Sequence, residues 1–433
     1  MDKAVSAPEL LGLLRGRERG SRTGVWSCCS ANEYVIRAAL RRGLARSAPV
    51  LVEATANQVD QNGGYTGMRP EDFRDFLFAL SDREGFPRER LILGGDHLGP
   101  LTFRKLPAAE AMDSAETLVR CYASAGFAKL HLDTSMKLAD DDPDARLPDE
   151  VIAARAARLC AAAEEEAAKA GIRPVCVIGS EVPIPGGAVE NEDSVAVTRP
   201  GDCEATLRAF KTAFEDRGLS AAWERVIAIV VQPGVEFADE SVVEYDRGAA
   251  RELMRCLDKW PALVFEGHST DYQPAEKLAE LVEDGVAILK VGPALTFALR
   301  EALFSLERIE LELSKLRPFP LSRFRETLDW VMCEDDKYWG GYYHGREAGV
   351  RYARAYSLSD RARYCLPSPR VEVALRTLLG NLDREGIPLA LLSQYLPLQY
   401  QRLRSGAIGG DAESLLLDRI GDSIDPYLDA VCG

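Results

Sequence analysis

Three of the four histidines of this chain stand where hydrophobic runs end. His97 follows the run Leu91-Ile-Leu in the stretch GGDHLGP, and Asp96 lies directly beside it. Two further histidines also close hydrophobic runs, His131 in KLHLDTS and His268 in ALVFEGHST. Imidazole and carboxylate groups are common ligands of divalent metal ions and common general acids and bases. The pattern therefore predicts a divalent metal site with acid–base chemistry, although a hydrogen-bonded core residue is the simpler interpretation of any one histidine.

These residue types suggest individual roles. We predict His97, Glu181 and His268 as metal ligands, because each closes a different hydrophobic run. Gln232 offers only a neutral oxygen, so it is either a weaker ligand or a substrate contact. Asp96 is the predicted general base, with Asp133 as the alternative. His131 is assigned to catalysis as an orienting group or proton shuttle, and a ligand role stays open for it.

The elements that must position these side chains follow a regular rhythm. Amphipathic stretches with helical periodicity separate eight short runs rich in β-branched residues, which are 24–30, 50–58, 90–97, 129–135, 173–181, 226–234, 262–270 and 286–292. Such alternation predicts an α/β fold with a parallel sheet, and a closed TIM (β/α)8 barrel fits the count better than an open doubly wound sheet. In such barrels the active site lies where strands end and βα loops begin. Polar groups that share a strand face, as Lys129 and His131 do, are costly to bury without partners.

Strand signals stop after residue 300. Residues 298–316, 370–386 and 410–431 have helical patterns, so we expect a barrel over 1–300 and a helical C-terminal extension over 301–433, packed on the barrel. At the other end of the chain, Ser30 and Glu33 have the spacing of a capping box, which predicts a helix that closes at Gly43.

The composition of the chain argues against several classes of binding partner. The formal net charge of −15 makes nucleic acid and anionic membranes unfavourable partners. The N-terminal stretch lacks the apolar core of a signal peptide, and no 18-residue apolar run is present. The ten cysteines contain no C-x-x-C pair, which is typical of reduced thiols. We therefore expect a cytoplasmic protein. The sequence contains neither G-x-x-x-x-G-K-[ST] nor G-x-G-x-x-G after the first strand. It therefore lacks the glycine-rich loops that bind nucleotides and dinucleotides.

Polar loops suggest a small hydroxyl-rich substrate. Residues 57–68, NQVDQNGGYTGM, carry amide side chains that both donate and accept hydrogen bonds, although a tight surface turn is the alternative. Residues 337–345, which include His344, are either a second lid or a surface feature. The predicted substrate contacts are Asn57, Gln58, Glu53, Glu266, Lys290, Ser269, Arg361 and Arg363. Lys290 could bind a phosphate or form a salt bridge to Glu53. The two arginines could bind a phosphate, or they could be solvated or salt-bridged.

Several long motifs resemble one known family. They are EATANQVDQNGGYTGM, ILGGDHLGP, KLHLDTSM, IGSEVPIPGG, RVIAIVVQPGVEF, EGHSTDYQ, ILKVGPALTFALREA, YSLSDRARY and SQYLPLQY. The chain is similar through them, from about residue 24 to 404, to the Z-subunit family of D-tagatose-bisphosphate aldolase (GatZ/KbaZ type), which is related to the class II aldolases. The resemblance implies a TIM barrel. It also implies one of two functions, a metal-dependent 4-epimerase of D-tagatose or its 6-phosphate, or an accessory subunit that stabilises a catalytic aldolase.

The resemblance to class II aldolases extends to single positions. It implies that Asp96 matches their catalytic aspartate, His97 their first metal histidine and His268 the metal histidine after the seventh strand. Gln232 stands where those enzymes have another metal histidine, and Ser269 to Tyr272 replace their glycine-rich phosphate loop. These departures speak against bisphosphate cleavage by this chain alone. They leave metal binding intact, because Glu181 can complete the coordination.

If the chain is a 4-epimerase, few reaction mechanisms are available to it. The C4 hydrogen of a 2-ketose is not alpha to the carbonyl, so inversion requires transient oxidation or retro-aldol cleavage between C3 and C4. Retro-aldol cleavage needs a Lewis acid and a base, which a divalent metal (zinc, manganese, nickel or magnesium) and Asp96 or Asp133 supply. A Schiff base on Lys129 or Lys290 is an alternative that leaves the histidines unexplained. The expected partners are a ketohexose or its phosphate and either a catalytic aldolase subunit or further copies of the chain.

Overall fold

Eight parallel strands close into a barrel. The computed structural model describes residues 7–180 and 195–432. Within them the barrel strands are β1 (Val25–Cys28), β2 (Val50–Thr55), β3 (Leu91–Leu98), β4 (Lys129–Leu132), β5 (Val175–Ile178), β6 (Val226–Val231), β9 (Val264–Gly267) and β10 (Val286–Val291). Their order around the barrel is β1-β10-β9-β6-β5-β4-β3-β2, with β2 paired to β1. The predicted TIM barrel is confirmed. Each strand lies within the run that predicted it, except that β3 continues one residue further, to Leu98. A two-stranded antiparallel hairpin, β7 (Glu236–Phe237) and β8 (Val242–Val243), was not predicted.

Helices surround the barrel and continue beyond it. Those of the barrel part are α1 (Ala7–Arg15), α2 (Glu33–Arg46), α3 (Pro70–Glu84), α4 (Ala108–Ser124), α5 (Asp149–Lys169), α6 (Pro200–Asp216), α7 (Ser220–Trp223), α8 (Arg247–Met254) and α9 (Ala275–Asp284). The later ones are α10 (Pro293–Leu316), α11 (Phe324–Glu334), α12 (Glu347–Tyr356), α13 (Pro369–Glu385), α14 (Leu389–Tyr395), α15 (Pro397–Arg404) and α16 (Ala412–Val431). None of the helices in these ranges combines the length and hydrophobicity needed to span a bilayer.

The start of α2 differs from the sequence expectation. Asn32, not Ser30, is the N-cap, and its side chain accepts hydrogen bonds from the backbone N–H groups of Tyr34 and Val35. The helix also runs past Gly43 to Arg46, and Ser47 is its C-cap. A Cβ at Gly43 would lie 2.3 Å from Cγ2 of Val50, so this glycine allows close packing of the helix on β2 and does not end the helix.

The barrel interior has an apolar lower part and an ionic upper part. Alternate strand residues such as Leu51, Ile92 and Ile288 form one buried cluster with Leu10 and Leu14 of α1. Two positions further along β2 and β10, towards their carboxyl ends, the inward residues are charged. The apolar layer therefore supports a polar layer at the rim where the candidate site lies.

The C-terminal helices pack directly on the barrel elements. Helix α10 follows β10 and runs without a break across residue 300, and α16 packs on α2, α9 and α10. The phenol of Tyr427 on α16 donates a hydrogen bond to the carbonyl of Thr270, 2.7 Å away, and its ring lies 6.3 Å from that of Trp26. This packing joins the end of the described chain to the loop that carries His268.

Candidate functional site

The strand β3 brings two adjacent side chains to one site. The pairing of β3 with β4 shifts register between Gly95 and Leu98, so Asp96 and His97 lie in a β-bulge. His97 has a φ of 49°, in the left-handed region that non-glycine residues rarely adopt. In a regular strand, adjacent side chains point to opposite faces. The bulge and the unusual backbone of His97 place both side chains in the same cluster.

Glycines on either side make room for this arrangement. A Cβ at Gly94 would lie 2.6 Å from Cγ of Glu53, and one at Gly99 would lie 1.7 Å from the carbonyl oxygen of Asp133. Both distances are shorter than non-bonded atoms allow, so glycine is required for steric reasons at both positions. The glycines of GGDHLGP therefore allow β3 to pass close to Glu53 and Asp133.

Three histidine rings meet at the rim of the barrel. The ring centroids of His97, His131 and His268 are 4.9, 5.0 and 5.1 Å apart, and all three side chains are buried. One potential ligand atom from each ring and one from Asp96 lie within 4.8 Å of one another. The predicted convergence of histidines from three strands is therefore present, and these four residues could hold a metal ion.

Each histidine bonds a carboxylate through one ring nitrogen. Nδ1 of His97 lies 2.8 Å from Oδ2 of Asp133, and Nε2 of His268 lies 2.9 Å from Oε1 of Glu266. Nδ1 of His131 lies 2.8 Å from Oδ1 of Asp96 and 3.2 Å from the backbone nitrogen of His97. We assign the proton to this nitrogen, because the contact to the charged oxygen is the shorter one.

These contacts determine which ring nitrogen carries the lone pair. An ionised carboxylate only accepts hydrogen bonds, so the nitrogen facing it carries the proton and the other nitrogen does not. Nε2 of His131 is buried, and no hydrogen-bond partner for it exists in the described parts of the chain. An unpartnered buried nitrogen is costly, and a carboxylate–histidine pair is the usual support of a metal ligand.

A layer of buried charges lies beneath the histidines. Nζ of Lys129 contacts Oε1 of Glu53 and Oε2 of Glu266, each at 2.7 Å, and the hydroxyl of Ser27 donates to Glu53 at 2.6 Å. Lys290 forms an ion pair with Asp96 and lies 3.5 Å from Glu266. When the three imidazoles are neutral, as they are when they bind a metal ion, the network has a net charge of −2 from two lysines and the four carboxylates Glu53, Asp96, Asp133 and Glu266. That excess equals the charge of one divalent cation.

The protonation states agree with this charge balance. Burial and the charge of Lys290 together lower the pKa of His268 to about 3, and the same two causes lower the pKa of His131. Burial would raise the pKa of Asp96, but His97 and Lys290 hold it well below its usual range. Near neutral pH, His131 and His268 are neutral and Asp96 is ionised, as metal binding requires. The tautomers, the charge balance and the unpartnered nitrogen all fit a divalent metal ion.

A cavity of about 640 Å³ opens above the cluster. His97, Asp96 and His268 line it from the barrel. The predicted substrate contacts that line it are Asn57, Gln58, Ser269, Lys290 and Arg363. Glu53 and Glu266 do not line it; they belong to the charged layer below, where Glu53 also lies 3.8 Å from Lys290. Lys290 therefore has the predicted salt-bridge environment and at the same time borders the cavity.

Other predicted residues lie apart from the cluster. The amide oxygen of Gln232 accepts from the backbone N–H groups of Gly234 and Val235, so its polar atom is used within its own loop. Arg361 is buried away from the cavity, against the ring of Tyr342. His344 is exposed and does not line the cavity. Glu181 lies outside the described residues, and its ligand role stays a prediction.

A tyrosine cluster at the cavity wall was not predicted. The ring of Tyr364 stacks on Tyr338 with a centroid distance of 4.5 Å and meets Tyr65 edge-on at 5.0 Å. Tyr65 belongs to the loop 57–68 and Tyr338 to the loop 337–345, so the cluster joins the two loops that we expected to act as lids. These positions are far apart in sequence and have no shared spacing that would indicate their contact.

The chain resembles proteins of known family and structure. A model of the family described as D-tagatose-1,6-bisphosphate aldolase subunit GatZ/KbaZ-like matches residues 10–432. A crystal structure of a probable tagatose 6 phosphate kinase from Sinorhizobium meliloti 1021 is 46% identical, with a TM-score of 0.86, and covers 94% of this chain and 100% of that chain.

More distant structures include a fructuronate-tagaturonate epimerase from Cohnella laeviribosi, at 13% identity and a TM-score of 0.46, which covers 96% of this chain and 82% of that chain. A fructose-bisphosphate aldolase from Campylobacter jejuni, also at 13% identity, has a TM-score of 0.43 and covers 88% of this chain and 94% of that chain. The family match extends over nearly the whole chain and agrees with the motifs at the site. The chain therefore belongs to the D-tagatose-1,6-bisphosphate aldolase subunit GatZ/KbaZ-like family.

Proposed function

We propose that the chain is a metal-dependent 4-epimerase that interconverts D-tagatose 6-phosphate and D-fructose 6-phosphate by retro-aldol and aldol steps. The observation that carries the proposal is the cluster of His97, His131, His268 and Asp96 at the base of a cavity large enough for a sugar phosphate. The family description and the name of the Sinorhizobium relative both refer to phosphorylated tagatose, which supports the choice of sugar.

The reaction breaks and re-forms one carbon–carbon bond. Removal of the C4 hydroxyl proton starts cleavage between C3 and C4, which gives a three-carbon enediolate and an aldehyde. Rotation of the aldehyde before re-addition inverts C4. A divalent ion held by His97, His131 and His268 would act as a Lewis acid for the negative charge that cleavage leaves on the C2 and C3 oxygens.

Asp96 has the better position for the base. Its Oδ1 contacts His131 and Lys290, whereas its Oδ2 has no hydrogen bond within residues 7–180 and 195–432 and lies 3.7 Å from Nε2 of His97. Asp96 also lines the cavity. One oxygen is therefore free to accept the C4 hydroxyl proton. The adjacent Lys290 ammonium can stabilise the negative charge that moves between base and substrate.

The cavity walls combine amide and tyrosine side chains. Asn57 and Gln58 line one side, and the tyrosines 65 and 364 line the wall where the two loops meet. Amide side chains there can donate to and accept from sugar hydroxyls. Enclosure matters because the aldehyde must turn and re-add before it diffuses away.

The direct test uses the chain without any partner. Purified protein is incubated with D-tagatose 6-phosphate and Mn²⁺ or Zn²⁺, and D-fructose 6-phosphate is measured. We expect product with metal, none with chelator, and a large loss of rate in Asp96→Asn. Absence of product under every metal condition, from folded protein, would refute the epimerase.

An accessory role is the second candidate, favoured by the word subunit in the family description. A subunit that only stabilises a catalytic aldolase has no physical need for a buried cluster of charges, whose desolvation is costly. If the chain is accessory, chelation and the histidine variants should leave its effect on the half-life of the partner aldolase unchanged. An effect that disappears with the metal would count against the accessory role.

A further inference from the structure

The cavity has four cationic side chains besides its histidines, and three of them are already neutralised. Lys290 pairs with Asp96. The other two pairs lie near the cavity entrance, Arg83 with Glu33 at 2.7 Å and Arg376 with Glu372 at 3.5 Å. The fourth cation is Arg363, which lines the same cavity.

Arg363 differs from these three cations in its contacts. Its guanidinium donates to the backbone carbonyls of Ser359 and Asp360 and, through Nη2, to the phenol of Tyr364 at 3.0 Å. No ion pair with a carboxylate is formed by Arg363 anywhere in the described ranges. Carbonyl and phenol oxygens hold the guanidinium in place without an ion pair, while the carboxylates of Asp360 and Asp271 act on its charge from a greater distance.

The side chain is also fixed in orientation. The guanidinium lies 4.4 Å from the ring centroid of Tyr364, which in turn stacks on Tyr338. A cation held by stacking and hydrogen bonds loses little entropy when it binds an anion. This arrangement is typical of a preorganised anion-binding group.

The usual alternative phosphate site is already occupied by the protein itself. In many TIM barrels, a phosphate binds the backbone N–H groups of a helix that follows the last strands. Here Oδ1 of Asp271 accepts from the N–H groups of Gly292 and Ala294, at 3.0 and 2.8 Å, at the start of α10. A buried carboxylate thus occupies the position of the anion, and a phosphate there would meet a like charge.

We propose that Arg363 binds a phosphate monoester in this cavity, so that a phosphorylated ketose, and not the free sugar, is the substrate. The inference rests on the proposed function for the identity of the sugar, but phosphate binding itself does not depend on turnover. A guanidinium forms two parallel hydrogen bonds to phosphate oxygens. Arg363 forms no ion pair within the described residues, and the N–H groups at the start of α10 are already bonded to Asp271. Arg363 is therefore the cavity cation that is left to bind the phosphate.

The binding test uses inorganic phosphate and metal-free protein, with chelator present so that no metal–phosphate contact contributes. We expect calorimetry to show that Arg363→Gln weakens phosphate binding by about tenfold to a hundredfold. Arg376→Gln, which removes a cavity arginine that already has a carboxylate partner, should bind as wild type does. Arg363→Lys should retain part of the affinity, and it covers the case in which the glutamine variant does not fold. Wild-type protein that binds no phosphate, or an Arg363 variant that binds it unchanged, overturns the proposal.

A turnover experiment separates this inference from the proposed function. The ratio of kcat/KM for D-tagatose 6-phosphate to that for D-tagatose should fall in Arg363→Gln, mainly through KM for the phosphorylated sugar. If neither sugar is converted by wild type while phosphate binding still depends on Arg363, the epimerase fails and the anion site stands. If both sugars lose activity equally in the variant, Arg363 does not select for the phosphate.

Discussion

Asp133 orients His97 with one carboxylate oxygen while its other oxygen is used elsewhere. Oδ2 lies 2.8 Å from Nδ1 of His97, and Oδ1 accepts from the backbone N–H of Ser135 at 3.1 Å and from its hydroxyl at 2.7 Å. These contacts hold the pKa of Asp133 well below its usual range, even though burial alone would raise it. With both oxygens occupied, Asp133 is suited to positioning a ligand and not to removing a proton.

The two aspartates should therefore differ when each is changed to asparagine. Asp133→Asn is expected to weaken metal affinity by about 10- to 100-fold, because it removes the partner that sets the tautomer of His97. Asp96→Asn is expected to lower kcat by about 10²–10⁴ at saturating metal, the usual contribution of a positioned base. Metal titration and steady-state kinetics on both variants check this. A large kcat loss at saturating metal in Asp133→Asn alone would assign the base to Asp133.

The amount of bound metal should depend on the three histidines of the cluster. We expect the purified chain to bind about one divalent ion, and His97→Ala, His131→Ala and His268→Ala each to lose it, because the three rings supply its nitrogen ligands. Elemental analysis after dialysis against trace metal measures the content. The exposed His344 provides the matched control, and His344→Ala should retain the ion. Unchanged metal content in all three cluster variants would refute the site.

A deuterium label on C4 of the substrate should be retained during epimerisation. Retro-aldol cleavage leaves the C4 hydrogen on its carbon throughout, whereas oxidation removes it as hydride. Substrate deuterated at C4 is therefore expected to give product with full deuterium, which mass spectrometry measures. Loss of deuterium to solvent, or a requirement for added NAD, would rule out the retro-aldol route.

Lys129 should contribute to stability and form no adduct. Its ammonium is fully buried between Glu53 and Glu266, so removal leaves two buried carboxylates without their shared partner. We expect Lys129→Ala to lower the free energy of unfolding by about 3–5 kcal/mol, measured by denaturant titration. The control Lys315→Ala removes an exposed pair with Glu312 and should cost less than about 1 kcal/mol. Borohydride trapping with substrate and chelator should modify neither Lys129 nor Lys290, and a trapped lysine would favour the Schiff base.

Asp271 should make stability depend on pH. Burial raises its pKa to about 6, although hydrogen bonds from Ala294 and Gly292 oppose the rise. A carboxyl whose folded pKa is raised stabilises the fold below its unfolded pKa and loses that contribution as the pH passes its folded pKa. The stability of Asp271→Asn relative to wild type should therefore increase between pH 4 and pH 7, by at most about 3 kcal/mol. Denaturant titrations of both proteins across that range test this, and a flat difference would contradict it.

The strands and the barrel could be predicted from the sequence because each depends on local information. Runs of β-branched residues between helical patterns located the eight barrel strands, and the rule that sites lie at the carboxyl ends of strands brought His97, His131 and His268 together. The hairpin β7–β8 has only two residues in each strand, which is too short for a periodic signal. The early end predicted for α2 failed because Gly43 is needed for packing against Val50, and a single sequence does not show that contact.

The details of the site depend on contacts between distant segments. Strand alternation would place Asp96 and His97 on opposite faces, and only the bulge in β3 brings both into the cluster. Arg363 was a candidate from its charge alone, but its missing carboxylate partner follows from the packing of residues near 360 against the barrel. Asp271 carried no signal at all, since its role depends on the start of a helix twenty residues later.

The tyrosine cluster connects the part of the chain after residue 300 to the barrel, so the two parts cannot be separated without changing the cavity. Arg363 and Tyr364, which both come after residue 300, complete the wall of a cavity whose reactive groups come from the strands, and Tyr338 stacks on Tyr364. The segment near 360 is also tied to the barrel, because Asp239 accepts from the hydroxyls of Ser357 and Ser359 at 2.7 and 2.9 Å. A barrel expressed without the later helices would keep its charged cluster but expose it to bulk water. The two parts of the chain are therefore expected to be inherited, and to lose activity, as one unit.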